Sequence, residues 1–288
     1  MTVVRLARSP HLAPVLIAGA LRSPLKRPRA DAPLPEHSIA LDDAAVDPRR
    51  LAAYAELCGF TADGRLPVTY PHVLGFPLAM KLMAARDFPL PLLGLVHTSI
   101  EIRQEAAPLR VADRLELLVH TEKLTPHRRG TEATVVTRAR CAGRGETVWM
   151  SRSTYLARHR TPDGSAPAKA AARAETDPLP VQATWQLDAA LGRRYGAVSG
   201  DRNPIHLHPL TARAFGFPRQ IAHGMWTAAR CLAEQPLDGP VDLRVDFKAP
   251  VLLPGTVTYG SEPAGRAFEL RGADGRLHLT GKVSGRLA

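Results

Sequence analysis

The sequence predicts an α+β protein made of two repeats, each an antiparallel sheet that covers a central helix. Three observations support this fold class. Both halves show the same order of elements, with helical stretches followed by a run of strands. Two short segments of the first half recur in the second half. Finally, residues 158–180 are rich in Pro, Ala and charge without apolar periodicity, as expected of a linker.

The first repeat is predicted to open with a helix at residues 49–58 and a longer, more apolar helix near residues 73–85. Four strands then follow, near residues 97–104, 113–123, 131–141 and 147–156. The third of these strands alternates apolar and charged side chains, which is typical of a half-buried strand. Gly143 and Gly145 predict a hairpin turn after it.

The second repeat is predicted to follow the same order. Its helices lie at residues 188–198 and 224–234, and its strands lie near residues 241–247, 256–261, 267–271 and 277–284. The turn Ala273-Asp274-Gly275 separates the last two strands. Because each sheet must cover a buried helix, the two sheets are expected to pair edge to edge.

Internal similarity indicates a duplication. Tyr54-Ala-Glu-Leu-Cys-Gly-Phe60 aligns with Tyr195-Gly-Ala-Val-Ser-Gly-Asp201, and residues 105–115 align with residues 247–257 at nearly the same offset. We therefore predict an N-terminal arm (1–35), a first domain (36–157), a linker (158–180) and a second domain (181–288).

Composition limits the classes of function. The chain has 288 residues, of which 45% are hydrophobic, so it can bury a full core. A formal charge of +11 favours an anionic partner such as a phosphorylated cofactor, an acidic protein or nucleic acid. The basic residues are scattered and only 5% of residues are aromatic, which argues against a stacking platform for nucleic acid. No nucleic-acid partner is therefore predicted.

The cysteine content and the hydropathy of the sequence indicate the cellular compartment of the protein. The three cysteines are far apart and form no CxxC motif, which favours a reducing compartment, so we predict a cytoplasmic protein. The longest apolar run, residues 12–21, contains Pro14 and has about half the length needed to span a bilayer. No membrane span is predicted, and this run is expected to pack on the domain or to stay mobile.

Candidate chemistry concentrates in residues 195–226, which hold an acid, an amide and three histidines. Asn203-Pro204 predicts a helix start, because Asn caps helices and Pro is tolerated at the first helical position. Asp201 would then lie on the incoming loop and His206 in the first turn, so both side chains can face one pocket.

A second segment, residues 222–225, opens an apolar helix. The N-terminus of a helix offers free N–H groups and the positive end of the helix dipole. Gly224 allows a ligand oxygen to approach the backbone closely. This arrangement predicts an oxyanion hole.

Ser199-Gly200-Asp201-Arg202-Asn203-Pro204-Ile205-His206 resembles the hydratase-2 motif of the MaoC-like dehydratases, which are (R)-specific enoyl-CoA hydratases of hotdog fold. His223-Gly224-Met225 is similar to the helix start of that family and lies at the expected distance. Around Tyr70-Pro71-His72 and residues 88–97, the first half resembles the degenerate first repeat of double-hotdog members, among them the actinobacterial 3-hydroxyacyl-thioester dehydratases.

This resemblance implies a tandem, or double, hotdog fold. It implies that Asp201 and His206 form the catalytic pair, that Asn203 supports their loop, and that the Gly224 N–H binds the thioester carbonyl. The other motif residues are expected to line the substrate site: Ser199, Gly200, His223 and Met225. For His223, the position at a helix start by itself favours a structural role, in which a ring N–H binds a backbone carbonyl.

The first half departs from the family pattern. Phe60 stands where Asp201 stands, and the whole D-x-N-P-x-H segment is missing there. One active site per chain is therefore expected, with a non-catalytic first half that supports the structure and the substrate. Because the tandem repeat supplies the pairing that single hotdogs obtain by dimerising, both a monomer and a homodimer stay open.

The expected reaction is reversible hydration of a trans-2-enoyl thioester, carried by CoA or by an acyl carrier protein, to a (3R)-hydroxyacyl thioester. It needs a base for water, an acid for C2 and positive potential at the carbonyl oxygen, and it needs no cofactor. Zinc on His206 and His208 is disfavoured, because a third ligand at a usual spacing is missing from the sequence. A hotdog thioesterase and a non-catalytic thioester-binding subunit are the alternatives.

Overall fold

The computed structural model describes residues 2–105, 109–143, 145–161, 177–235, 237–263 and 265–287. The helices are α1 (Leu12–Arg22), α2 (Pro48–Cys58), α3 (Tyr70–Met83), α4 (Leu191–Ser199), α5 (Pro209–Ala214) and α6 (Gly224–Leu232). The strands are β1 (Thr2–Leu6), β2 (His37–Ala44), β3 (Val96–Gln104), β4 (Leu115–His127), β5 (Gly130–Cys141), β6 (Thr147–Arg158), β7 (Val181–Leu187), β8 (Leu237–Phe247), β9 (Gly255–Ser261), β10 (Ala267–Gly272) and β11 (Leu277–Leu287). Two 3-10 turns, Ser23–Leu25 and Pro204–His206, complete the described elements.

One sheet runs through both repeats in the order β1-β2-β4-β5-β6-β3-β8-β11-β10-β9-β7. The repeats meet where β3 pairs antiparallel with β8, with Ile100 opposite Val245, and both of these side chains are fully buried. The central helix α3 packs on β2, β4 and β5, whereas α6 packs on β8, β10 and β11. The predicted α+β fold, a double hotdog with edge-to-edge sheets, is confirmed.

The four helices and eight strands predicted from the sequence are all present, with ends within four residues of those expected. The prediction missed α1, α5, β1, β2 and β7. The missed strand β2 buries four consecutive residues, so it lacks the alternation that identifies a half-buried strand. Residues 162–176 of the predicted linker and residues 106–108 of the repeat alignment lie outside the described residues, and the domain boundaries stay a prediction.

The N-terminal arm packs on the first half. At Gly19 of α1 a Cβ atom would lie 2.3 Å from the Leu92 side chain and 3.0 Å from the Cβ of Ala84, so the helix sits in close contact. The Lys26 ammonium donates to the carbonyl oxygens of Ala85 (3.0 Å) and Arg86 (2.6 Å) beyond the end of α3. Within the described chain, every helix is too short or too polar to cross a lipid bilayer.

Buried histidines are a feature of this core. His72 in the first turn of α3 is 5% exposed, and its Nδ1 has no hydrogen-bond partner among the described residues. Burial lowers the pKa of His72 to about 4, because the charged imidazolium loses its hydration. The folded protein therefore holds this ring neutral.

We expect the free energy of unfolding to decrease as the pH falls from 6.5 toward 4. In this window the unfolded chain protonates His72 whereas the folded chain does not, so the unfolded state binds more protons. The full difference corresponds to about 3 kcal/mol for this one ring. Urea denaturation at pH 7.5 and pH 4.5 measures the loss. The variant His72→Gln, although less stable overall, is expected to lose less stability between the two pH values, and an equal loss in both proteins contradicts the assignment.

Candidate active site

The turn that carries His206 is a single 3-10 turn and not the start of a longer helix. Asn203 Oδ1 accepts from the N–H of Ile205 (3.4 Å) and Pro204 occupies the first position, as the sequence predicts. A new helix, α5, begins at Pro209, where His208 Nδ1 accepts from the N–H of Leu210 (3.2 Å). The separation follows from Pro209, because a residue before proline prefers extended backbone and His208 has φ −148°.

The loop that carries Asp201 is shaped by its own hydrogen bonds. The Ser199 hydroxyl donates to the Tyr195 carbonyl oxygen (2.8 Å) and accepts from the N–H of Asp201 (3.1 Å). Gly200 ends α4 with φ +85°, a conformation that favours glycine. Asp201 Oδ1 accepts from the N–H of Asn203 (3.1 Å), and the Asp201 side chain stays 28% exposed. The Ser199 side chain therefore stabilises the conformation of this loop, while the Asp201 carboxylate remains accessible to solvent.

The His206 ring is fixed in one tautomer. Its Nδ1 lies 2.8 Å from the carbonyl oxygen of Ile221, and because a carbonyl can only accept, Nδ1 carries the proton. Burial lowers the pKa of His206, while the Asp201 carboxylate and the bond to Ile221 act in the opposite direction. At neutral pH the ring is thus uncharged, and its Nε2 lone pair is available as a base.

His223 ties the two segments together. Its ring stacks on His206 with a centroid distance of 3.7 Å, and its Nε2–H donates to the Asp201 carbonyl oxygen (2.9 Å). The same nitrogen is 3.9 Å from Asp201 Oδ2. Burial, with the neighbouring His206, holds the pKa of His223 well below its usual value. His223 thus binds the backbone of the Asp201 loop, and its expected contact with substrate stays a prediction.

These side chains also form a potential metal-binding set. Asp201, His206 and His223 each offer one ligand atom, and the three atoms lie within 4.8 Å of one another. The sequence alternative paired His206 with His208 instead, but the His208 ring caps α5. The expectation that the site works without a metal stays a prediction.

Helix α6 directs its N-terminus toward this region. It begins at Gly224, so the Gly224 N–H is one of the amides at a helix start that lack a carbonyl partner within the helix. A Cβ atom at this position would lie 3.2 Å from the Phe247 ring, which leaves little room for any other residue. Met225 is 8% exposed and packs in the core, where its expected contact with substrate stays a prediction.

Polar side chains of the first half reach the same region. The Phe247 ring lies 5.0 Å from the His97 ring, and His97 stacks on Tyr155 at 4.7 Å. Burial lowers the pKa of His97 to about 3. Burial, with a small contribution from the charge of Asp201, raises the pKa of Tyr155, so its hydroxyl stays protonated. The first half therefore places two neutral polar groups near the candidate catalytic pair.

Sequence reasoning missed Tyr155 and Phe247 and named His97 only within a resembling segment. The sequence around each position does not indicate that these residues are close in space, because only the pairing of β3 with β6 and with β8 brings them together. In place of an acid, Phe60 of the first half stacks on Tyr54 with ring centroids 6.4 Å apart.

Taken together, the site combines a carboxylate, a neutral imidazole with a free Nε2, and helix-start amides. Such a set can move a proton at one carbon while it stabilises negative charge on a nearby oxygen.

Comparison with known proteins gives consistent results. The MaoC-like domain family matches residues 169–267. The chain is 38% identical over 263 residues to 3-hydroxyacyl-thioester dehydratase X of Mycobacterium tuberculosis (strain ATCC 25618 / H37Rv), covering 90% of this chain and 92% of that protein. The crystal structure of HtdX from Mycobacterium tuberculosis superposes with a TM-score of 0.73 at 35% identity, covering 86% of this chain and all of that chain. A MaoC-like dehydratase from Phytophthora capsici shares the fold, with a TM-score of 0.67 at 16% identity over 89% of this chain and 96% of that chain.

The 38% identity to the mycobacterial dehydratase extends over 90% of this chain and 92% of that protein, which is sufficient to assign the family. The chain belongs to the MaoC-like dehydratases.

Proposed function

We propose that this protein is a 3-hydroxyacyl-thioester dehydratase, which in reverse hydrates trans-2-enoyl thioesters to (3R)-hydroxyacyl thioesters. The observation that supports it best is the neutral His206 ring beside the accessible Asp201 carboxylate, close to the start of α6. The curated relative that is 38% identical carries the name of this activity.

In the hydration direction, the His206–Asp201 pair takes a proton from the water whose oxygen bonds to C3. The pair then delivers a proton to C2, so the elements of one water molecule are added across the double bond and the pair returns to its starting protonation state. The free Nε2 of His206 is the base, and the Asp201 carboxylate orients the water. Proton transfer by such a pair contributes a factor of roughly 10²–10⁴ in rate.

Negative charge develops on the thioester oxygen during the reaction, in an enolate-like transition state. The Gly224 N–H at the start of α6 is the donor proposed for this oxygen. One such donor contributes about 3 kcal/mol to transition-state stabilisation. The remaining motif residues, Asn203 and Ser199, hold the catalytic loop through backbone hydrogen bonds.

The substrate is proposed to be an acyl thioester of CoA or of an acyl carrier protein, since a protein of charge +11 suits a phosphate-bearing carrier. The three free cysteines support work in a reducing compartment, the cytoplasm. One catalytic site per chain is proposed, in the second domain.

The direct test is hydration of crotonyl-CoA and longer enoyl-CoA substrates, followed by loss of the ultraviolet absorbance of the conjugated thioester. We expect Asp201→Ala and His206→Ala to lower kcat by a factor of roughly 10²–10⁴, because the second removes the base and the first removes the carboxylate that orients the water. His208→Ala, which removes the exposed neighbouring imidazole, is the matched control and is expected to lose much less. Full activity of either catalytic variant contradicts the site, and release of free thiol without hydration identifies a thioesterase instead.

The pH dependence should report the neutral His206 ring. Because the base must be unprotonated, kcat/KM is expected to fall as the pH drops through the pKa of His206, which lies below 6.5. The Asp201 carboxylate raises this pKa, so Asp201→Asn is expected to move the titration to lower pH. NMR titration of the His206 ring in the two proteins measures the shift. A pKa that stays the same or rises in Asp201→Asn argues against electrostatic coupling of the pair.

The position of the catalytic turn depends on a close contact with α4. A Cβ atom at Gly192 would lie 2.0 Å from the His206 carbonyl oxygen, so Gly192→Ala must displace the 3-10 turn. A displacement of about 1 Å can cost a factor of about 10² in rate. We expect kcat to fall by such a factor, with Arg194→Ala on the exposed side of the same helix as the control. A Gly192→Ala protein with unchanged kcat shows that the turn tolerates movement.

A further inference from the structure

Helix α1 is apolar on two opposite faces. The inward face packs Leu12, Val15 and Leu16 on the core. The outward face, continued by the following 3-10 turn, exposes Ile17 (61%), Leu21 (74%) and Leu25 (81%) to solvent. A helix that is apolar all round is normally buried on all sides, so this outward face lacks the cover that its composition calls for.

The orientation of α1 is fixed. The Ser23 hydroxyl donates to the Gly19 carbonyl oxygen (2.8 Å) and accepts from the N–H of Leu93 (3.0 Å). Arg22 Nη1 donates to the Ala84 carbonyl oxygen (3.1 Å). These bonds hold α1 to the end of α3 and to the backbone of Leu93. Because these bonds fix the rotation of α1 about its axis, Ile17 and Leu21 stay on the side that faces solvent.

The segment that carries this face is mostly basic, and its Lys26 has Asp87 as an acidic neighbour. Residues 1–35 contain six basic residues and one acidic residue. The only charged side chain of α1 itself is the terminal Arg22. Arg8 precedes the helix in the sequence, Arg27 follows the 3-10 turn, and both are exposed. Asp31, the one acidic residue of this segment, is paired with Arg29. Exposed aliphatic side chains flanked by basic residues complement a partner whose outermost groups are anionic and whose interior is apolar.

We propose that this surface, which we call the α1 face (Ile17, Leu21 and Leu25), docks the protein on an anionic lipid bilayer. Interfacial helices of this type bury their aliphatic side chains at the boundary between headgroups and acyl chains, while flanking Arg and Lys bind the lipid phosphates. A second copy of the chain fits this surface less well, because it brings two basic borders together.

Docking would place the catalytic loop near the membrane. A Cβ atom at Gly200 would lie 3.1 Å from Leu12 Cδ1, so the start of α1 touches the residue that precedes Asp201. A thioester with a long acyl chain could then meet the site at the bilayer surface. The docking itself is independent of the proposed reaction, since it is measured as binding.

The test is co-sedimentation of the full-length protein with vesicles of phosphatidylglycerol and phosphatidylcholine, and with vesicles of phosphatidylcholine alone. We expect binding to the anionic vesicles that weakens at least tenfold at high salt. Ile17→Gln/Leu21→Gln keeps the charge and removes two exposed aliphatic side chains, and it is expected to lower the partition coefficient at least tenfold. The matched control is Val181→Gln/Leu210→Gln, which removes side chains of 63% and 64% exposure elsewhere and is expected to bind as the parent does.

Three outcomes overturn the proposal. The first is absence of binding to anionic vesicles by the parent protein. The second is equal binding by the two double variants, which reduces any attraction to net charge. The third is a self-association, seen by sedimentation velocity, that only Ile17→Gln/Leu21→Gln abolishes, which makes the α1 face an interface between copies. Circular dichroism of each variant confirms that it is folded, so a loss of binding is not a loss of structure.

Discussion

The candidate site depends on one hydrogen bond, from His206 Nδ1 to the carbonyl oxygen of Ile221. This bond selects the tautomer and leaves Nε2 unprotonated, as the proposed base must be, and burial keeps the ring neutral. The acceptor is itself held in place, since Ile221 forms an isolated bridge with Leu252 and the N–H of Ala222 donates to Val251 (2.8 Å). The backbone of three segments of the second half thus determines which nitrogen of the His206 ring is basic.

Burial and charge oppose each other at this ring. Desolvation alone disfavours imidazolium, whereas the nearby Asp201 carboxylate stabilises it. A ring that is only buried is too weak a base, and a ring with a fully paired carboxylate stays charged. An intermediate basicity of the His206 ring requires a carboxylate that is near the ring but still solvated. The loop achieves this because His223 holds the backbone of Asp201 through its carbonyl oxygen and leaves the side chain 28% exposed.

The sequence predicts the parts of the site that depend on local rules. Asn203 and Pro204 fix a turn start by capping and by ring geometry, and Gly224 marks a helix N-terminus, so these positions are visible without a structure. The strand β2 was missed because a strand buried on both faces shows no alternation. His97, Tyr155 and Phe247 could not be connected, because β3, β6 and β8 are distant in sequence and only sheet register brings their residues together.

The two halves differ at the position of Asp201 in the repeat alignment. The second half keeps a carboxylate at its loop, whereas the first half replaces it by Phe60 and buries His72, whose pKa of about 4 keeps it neutral. They are joined by the rings of Tyr54 and Tyr195, 6.0 Å apart, and by a 2.6 Å bond from Arg50 Nε to the Val198 carbonyl oxygen. In the proposed reaction, a second carboxylate facing the substrate would repel the enolate-like charge of the transition state. The groups that the first half places near the site, His97 and Tyr155, are neutral and avoid that repulsion, which gives a physical reason for a single acid at the proposed site.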